Sequence, residues 1–189
     1  MEKLFSIPLL PMDYEKYGAL KTRRVLSQMK GLYLDQEAVE KQLAIEDPVI
    51  YEVYELPHPN DETDLLANIT VLYPGKIGDE FYMTKGHFHL EPDTAEAVIG
   101  IAGSGEMLVQ NREGVLKSLA VLPGYISYAG GGWGHRVVNT GTEQLVFFAV
   151  SGANIIHDYD TAAKLNFKPV MKGEESPHEQ GQRAEGAIK

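Results

Sequence analysis

The 189-residue sequence contains no cysteine. That excludes disulfides, thiolate metal ligands and a cysteine nucleophile, so any metal must be held by nitrogen and oxygen donors. A chain without cysteine fits a cytoplasmic protein, although the absence is itself neutral about compartment. Long apolar runs are missing as well: nothing approaches the ~18 consecutive apolar residues of a membrane span. The apolar patch from Leu4 to Leu10 is broken by Pro8 and lacks a small-residue cleavage site, so it does not read as a signal peptide. Positive charge is scarce, with 17 Lys and Arg against 27 Asp and Glu and a formal net charge of −10. That balance argues against nucleic acid and against an anionic membrane, because both require a basic footprint. An anionic small substrate is compatible with it, provided that oriented donors meet its charge locally.

What is present is an ordinary globular balance, 43% hydrophobic and 23% charged, in a chain long enough to bury a sizeable core. Residues 1–30 contain Pro8, Pro11 and a basic cluster at Lys21, Arg23 and Arg24, read as an irregular arm or edge strand whose basic cluster is a solvated face. Asp35 is a candidate N-cap for a short helix over Gln36–Leu43, with Glu37 and Lys41 paired at i,i+4 and Val39 and Leu43 forming its apolar stripe. From Val49 onward the pattern changes to β-branched and aromatic runs separated by turn residues. Strands are expected over 49–56, 66–73, 106–110, 115–121, 125–129, 135–139 and 144–150, and His58 lies in a solvated loop. From Gly173 the chain is rich in Glu, Gln and Gly and reads as a mobile tail that includes His178. Many short strands and one good helix indicate an all-β sandwich or barrel. The division expected is 1–45 as arm and helix, 46–160 as the barrel, and 161–189 as a C-terminal segment and tail.

The chemistry centres on Thr84-Lys85-Gly86-His87-Phe88-His89 and on Glu96, seven residues beyond the second histidine. On one extended strand His87 and His89 share a face, with Cα atoms about 6.5 Å apart. Glu96 follows the turn-like Glu91-Pro92-Asp93-Thr94 and opens an apolar strand, so it is expected to point at the histidines. His135 follows a glycine-rich turn from Gly130 to Gly134 and begins another strand.

The two segments together resemble the cupin family. His87, His89, Glu96 and Gly103 fit its first motif, with phenylalanine at position 81 where the leading glycine belongs. Gly124, Gly132, His135 and Asn139 fit the second, with Gly130 in place of proline. The resemblance implies a cupin barrel, a double-stranded β-helix or jelly-roll. Three imidazoles and one carboxylate suit iron, manganese, nickel, cobalt or zinc, one divalent ion per chain, with Fe²⁺ favoured. Four protein ligands leave sites open on a five- or six-coordinate ion, whereas a closed tetrahedral Zn²⁺ site would be structural.

Within the cupins, the segments Asp47–Tyr54, Thr70–Lys76, Phe81–His89, Trp133–Asn139 and His157–Tyr159 resemble the archaeal-type glucose-6-phosphate isomerases. This resemblance implies interconversion of glucose 6-phosphate and fructose 6-phosphate by a metal-dependent cytoplasmic homodimer. It implies Thr70, Thr84 and Gly86 as phosphate donors, His157 and Tyr159 near the sugar at the barrel mouth, and Tyr51 reaching in from a neighbouring strand. Glu96 is the implied general base, with a direct hydride shift as the other route. Val98 and Ser151 stand where the family would have aromatic residues. A non-haem iron dioxygenase and a non-catalytic sugar-binding cupin are the alternative functions for the same ligand set.

Overall fold

The computed structural model describes residues 6–8, 13–57, 64–91 and 93–173. The expectations for His58, Pro92, His178 and the chain beyond Gly173 fall outside those residues. A helical turn, α1 (Tyr14–Tyr17), leads into strand β1 (Ala19–Val25), and α2 (Gln36–Leu43) follows after two short 3₁₀ turns. Asp35 caps α2 by accepting the Ala38 amide at 2.9 Å, and Lys41 meets Glu37 at 2.7 Å. That exposed pair contributes only about 0.3–0.5 kcal/mol. Val39, fully buried, docks the helix with the roughly 1.5–3 kcal/mol of a buried aliphatic side chain.

The strands are β2 (Val49–Glu55), β3 (Leu65–Leu72), β4 (Lys76–Ile77), β5 (Glu80–Phe81), β6 (Phe88–His89), β7 (Glu96–Ala102) and β8 (Gly105–Gln110). They continue as β9 (Leu116–Val121), β10 (Ile126–Ala129), β11 (Gly134–Val138), β12 (Leu145–Gly152) and β13 (His157–Asp158), and α3 (Tyr159–Leu165) follows directly. A six-stranded sheet runs in the order β1-β2-β3-β12-β7-β10, and a three-stranded sheet runs β11-β8-β9. Every pairing is antiparallel, and β6 pairs with β13. Ile50, Leu72, Val98, Met107, Leu145 and Phe147 belong to one buried cluster. The fold is the all-β cupin barrel implied by the two motifs. Gly103 of the first motif is needed for its backbone: at φ +75° a Cβ would lie 2.3 Å from the Gln144 carbonyl oxygen.

Register decides which side chains face inward. Thr22 lies opposite Val53, Val53 opposite Thr70, and Thr70 opposite Phe147; one row along, Arg24 lies opposite Tyr51. Thr22, Arg24, Tyr51, Val53, Thr70 and Phe147 all line a single cavity. Arg23, one residue out of phase, points the other way and pairs with Glu52 at 3.4 Å. The expected solvated basic face is therefore corrected at Arg24, whereas Lys21 and Arg23 are exposed. The two-residue period of β1 puts adjacent arginines on opposite faces, and Arg24 is on the inner one.

Candidate active site

His87 and His135 form an antiparallel bridge between the chain before β6 and the strand β11. Their imidazole centroids are 4.5 Å apart, and His89 lies 5.2 and 5.3 Å from them. Glu96, the first residue of β7, reaches both neighbours: Oε1 is 3.4 Å from His135 Nε2 and Oε2 is 3.6 Å from His89 Nε2. One donor atom from each of His87, His89, Glu96 and His135 falls in a group whose members are all within 4.8 Å of one another. Ligands about 2.0–2.2 Å from a single ion stand up to roughly 4.4 Å apart, so a contraction of a few tenths of an ångström closes the site.

The hydrogen bonds fit an ion better than they fit each other. His87 Nε2, His89 Nε2 and His135 Nε2 are buried and have no hydrogen-bond partner. A buried nitrogen left unpaired costs about 1–3 kcal/mol, a penalty offset in part at His89 and His135 by the Glu96 carboxylate and removed by a cation in their midst. His89 Nδ1 lies 3.0 Å from the Thr94 carbonyl oxygen, which selects the Nδ1–H tautomer and leaves the Nε2 lone pair facing the cluster.

Burial would raise the pKa of Glu96, but His135 and His89 outweigh it and hold the carboxyl well below its usual range. Burial, reinforced by His135 and His157, lowers His87, keeping that imidazole neutral and able to ligate. At His89 burial again opposes the charge, but Glu96 and the Thr94 carbonyl prevail and the pKa rises.

His87, Glu96 and His135 of the cluster line a cavity of about 300 Å³. Thr70, Thr84, Lys85 and Gly86 line it, as do Tyr51, His157 and Tyr159. The Thr84 hydroxyl oxygen accepts the Val137 amide at 3.0 Å, so its own hydrogen is free to donate. Thr70 Oγ1 donates to Asn68 Oδ1 over 3.3 Å, a long bond easily exchanged for a better acceptor. The Gly86 amide donates to no backbone carbonyl among the described residues.

A family model described as glucose-6-phosphate isomerase (GPI) matches residues 23–182. The glucose-6-phosphate isomerase of Pyrococcus horikoshii is 46% identical over 172 residues, spanning 89% of this chain and 91% of that protein. That of Thermococcus kodakarensis is 46% identical over 154 residues, spanning 82% of this chain and 81% of that one. A bacterial relative of the same name, from Sinorhizobium medicae, is 35% identical over 171 residues, spanning 87% and 79%. The chain belongs to the glucose-6-phosphate isomerase family.

Against that family frame, all the residues expected from the sequence gather in one place. The His157 ring packs on the His87 ring at 3.9 Å between centroids, and its Nδ1 lies 3.1 Å from the Tyr159 hydroxyl. Burial lowers the pKa of His157 and raises that of Tyr159, so both are uncharged at neutral pH. Tyr51 is also pushed up by burial, against the Arg24 side chain and the Lys85 amide, which favour its ionised form. Ser151 is buried beside Glu96 in register, and Val98 is buried in the core.

Sequence reasoning missed the cations of this cavity, whose lining includes Lys21, Arg24 and Lys85. Arg24 lines the cavity and its buried Nε has no partner; Lys85 also lines it and sets its ammonium 4.1 Å above the Tyr159 ring. The alternation of β1 would have found Arg24 had Ala19–Val25 been assigned as a strand. Among the described residues, no helix is long and apolar enough to cross a membrane.

Proposed function

We propose that this protein interconverts glucose 6-phosphate and fructose 6-phosphate, using one divalent ion, Fe²⁺ favoured, held by His87, His89, Glu96 and His135. One observation carries the reading. In a chain of the isomerase family, a cluster of unpartnered imidazole nitrogens and one carboxylate shares a cavity with uncommitted donors from Thr84 and Gly86. When bound, the ion supplies Lewis acidity that polarises the sugar carbonyl.

The remaining work falls to the chain's own side chains. The hydroxyls of Thr70 and Thr84 and the amide of Gly86 hold the phosphate, with Tyr51 behind them. Neutral donors converging on an anion suffice for this without a lysine. The neutral His157, hydrogen-bonded to Tyr159, accepts the proton of the C1 hydroxyl and returns it to the ring oxygen, opening the sugar. Glu96, ionised at neutral pH, removes the C2 hydrogen as a proton to give a cis-enediol and delivers a proton to C1, while the O2 hydroxyl proton passes to O1. The number of atoms and electrons is unchanged, as an isomerisation requires. A homodimer acting in cytoplasmic sugar metabolism belongs to the same proposal.

A coupled assay that follows fructose 6-phosphate tests the reading. Metal-loaded protein given glucose 6-phosphate should form the ketose to equilibrium without consuming oxygen. Tight sugar phosphate binding without turnover would instead identify a binding protein, and oxygen uptake without isomerisation a dioxygenase.

A further inference from the structure

Arg136 follows His135 on β11. His135 and Val137 line the cavity, so strand alternation sends Arg136 to the opposite side of the strand, where it is only 2% exposed. Its Nη2 donates to the Lys85 carbonyl oxygen at 3.1 Å, and its guanidinium lies 5.0 Å from the centre of the Phe167 ring. Its Nε is buried without a partner. Among the described residues no carboxylate makes an ion pair with it; Glu80, itself buried, acts on it from beyond that distance and accepts the Leu34 amide at 2.9 Å. A buried cation without an ion-pair partner is costly, and a fold that keeps one there needs a use for its charge.

Gly86 shows where that charge is directed. With φ at +74°, it folds directly over the guanidinium, and a Cβ there would lie 3.1 Å from both Arg136 Cβ and Nε. The opposite side of the same turn is cavity wall, carrying Thr84, Lys85 and Gly86. The backbone of Lys85 and Gly86 contacts the guanidinium on one side and belongs to residues that line the cavity, and charges in a low-dielectric interior are weakly screened. The chain as a whole carries −10, and Glu96 lines the same cavity. A dianion held by the neutral donors of this turn gains further from a positive charge directly behind it, beside the cavity-lining Arg24 and Lys85.

We propose that Arg136 is a positioning residue for the substrate's phosphate: it pins the Thr84–Gly86 turn from behind and supplies the buried positive charge that favours a dianion over a monoanion. The inference rests on the isomerase reading for the identity of the phosphate ester, but its test is read by binding and not by turnover.

The experiment is calorimetric titration of metal-loaded protein at pH 8 with sorbitol 6-phosphate, a dianion there, and sorbitol 6-sulfate, a monoanion. The variants are Arg136→Met and Arg136→Lys. In Arg136→Met the preference for phosphate over sulfate should fall by about tenfold or more, and KM for glucose 6-phosphate should rise correspondingly with kcat within about threefold. Arg136→Lys, which keeps the charge but not the fork, should hold the phosphate preference within about threefold of wild type. Equal losses for the two esters would mark Arg136 as merely structural, and an unchanged preference in Arg136→Met would remove its charge from the account. Should Arg136→Met fail to fold, Arg136→Lys decides alone, because a collapsed preference with the charge retained overturns the proposal. If the wild type binds sorbitol 6-phosphate but does not isomerise, the isomerase reading falls and the inference about Arg136 stands.

Discussion

His87 and His135 exchange both backbone hydrogen bonds, His87 N to His135 O at 3.1 Å and His135 N to His87 O at 2.9 Å. Two motifs far apart in the sequence are thus joined by an isolated antiparallel bridge, and their imidazoles are brought together by the backbone. Backbone pairing alone therefore holds His87 and His135 side by side.

The first prediction concerns Thr84. Its hydroxyl oxygen accepts the Val137 amide, and its amide donates to the Val137 carbonyl at 2.8 Å. Thr84→Val should raise KM by an amount equivalent to about 1–3 kcal/mol, the range for a hydrogen bond to a charged group. It should also lower stability, because the Val137 amide loses an acceptor. Thr84→Ser keeps the hydroxyl and should restore both. Steady-state kinetics beside denaturant unfolding checks this, and an unchanged KM in Thr84→Val would remove Thr84 from the phosphate site.

A second prediction concerns the segment that carries His157 and Tyr159. Asp158 caps α3 by accepting the Thr161 amide at 3.0 Å, and Arg112 approaches its other oxygen at 3.5 Å. The hydrogen bonds with Thr161, aided by Arg112, hold its pKa below the usual carboxylate value. A folded-state pKa below the unfolded one gives stabilisation that is complete above the unfolded value and is lost as pH falls through the folded value. Asp158→Ala should therefore cost about 1 kcal/mol at pH 7, as for a lost N-cap. The difference from wild type should shrink as pH falls below 3.8. Urea unfolding at several pH values measures it; a gap that widens in acid would contradict the assignment.

Much of this was legible in the sequence, for physical reasons that can be named. The α2 helix was readable because Asp35, the Glu37–Lys41 pair and Val39 all signal locally, and the long strands because alternation survives in short windows. His87, His89, Glu96 and His135 were found by the spacing of two motifs, although β6 holds only Phe88 and His89. Arg24 and Arg136 were not legible as site residues. Each depends on which face of a strand it occupies and on what covers that face, and both facts are set by distant segments. The α3 helix was missed because its first residue, Tyr159, reads as a site residue and its cap, Asp158, as part of the same motif.

The mechanism makes a third prediction. Glu96→Gln still offers an oxygen to a cation but cannot accept a proton. With metal content verified, it should lose more than about a hundredfold in kcat, the scale of general base catalysis. In D₂O the wild type should incorporate deuterium at C1 or C2 of the sugar. Appreciable turnover by metal-loaded Glu96→Gln, together with no solvent label in the wild-type product, would establish a direct hydride shift in place of proton transfer.

The central claim is isomerisation at an ion held by His87, His89, Glu96 and His135. Its most direct test is the fructose 6-phosphate assay on protein stripped by a chelator, verified by elemental analysis, and then reloaded. Turnover should vanish on stripping while circular dichroism stays that of the folded barrel, and Fe²⁺, Mn²⁺, Co²⁺ or Ni²⁺ should restore it. Full activity in verified metal-free protein would contradict the account.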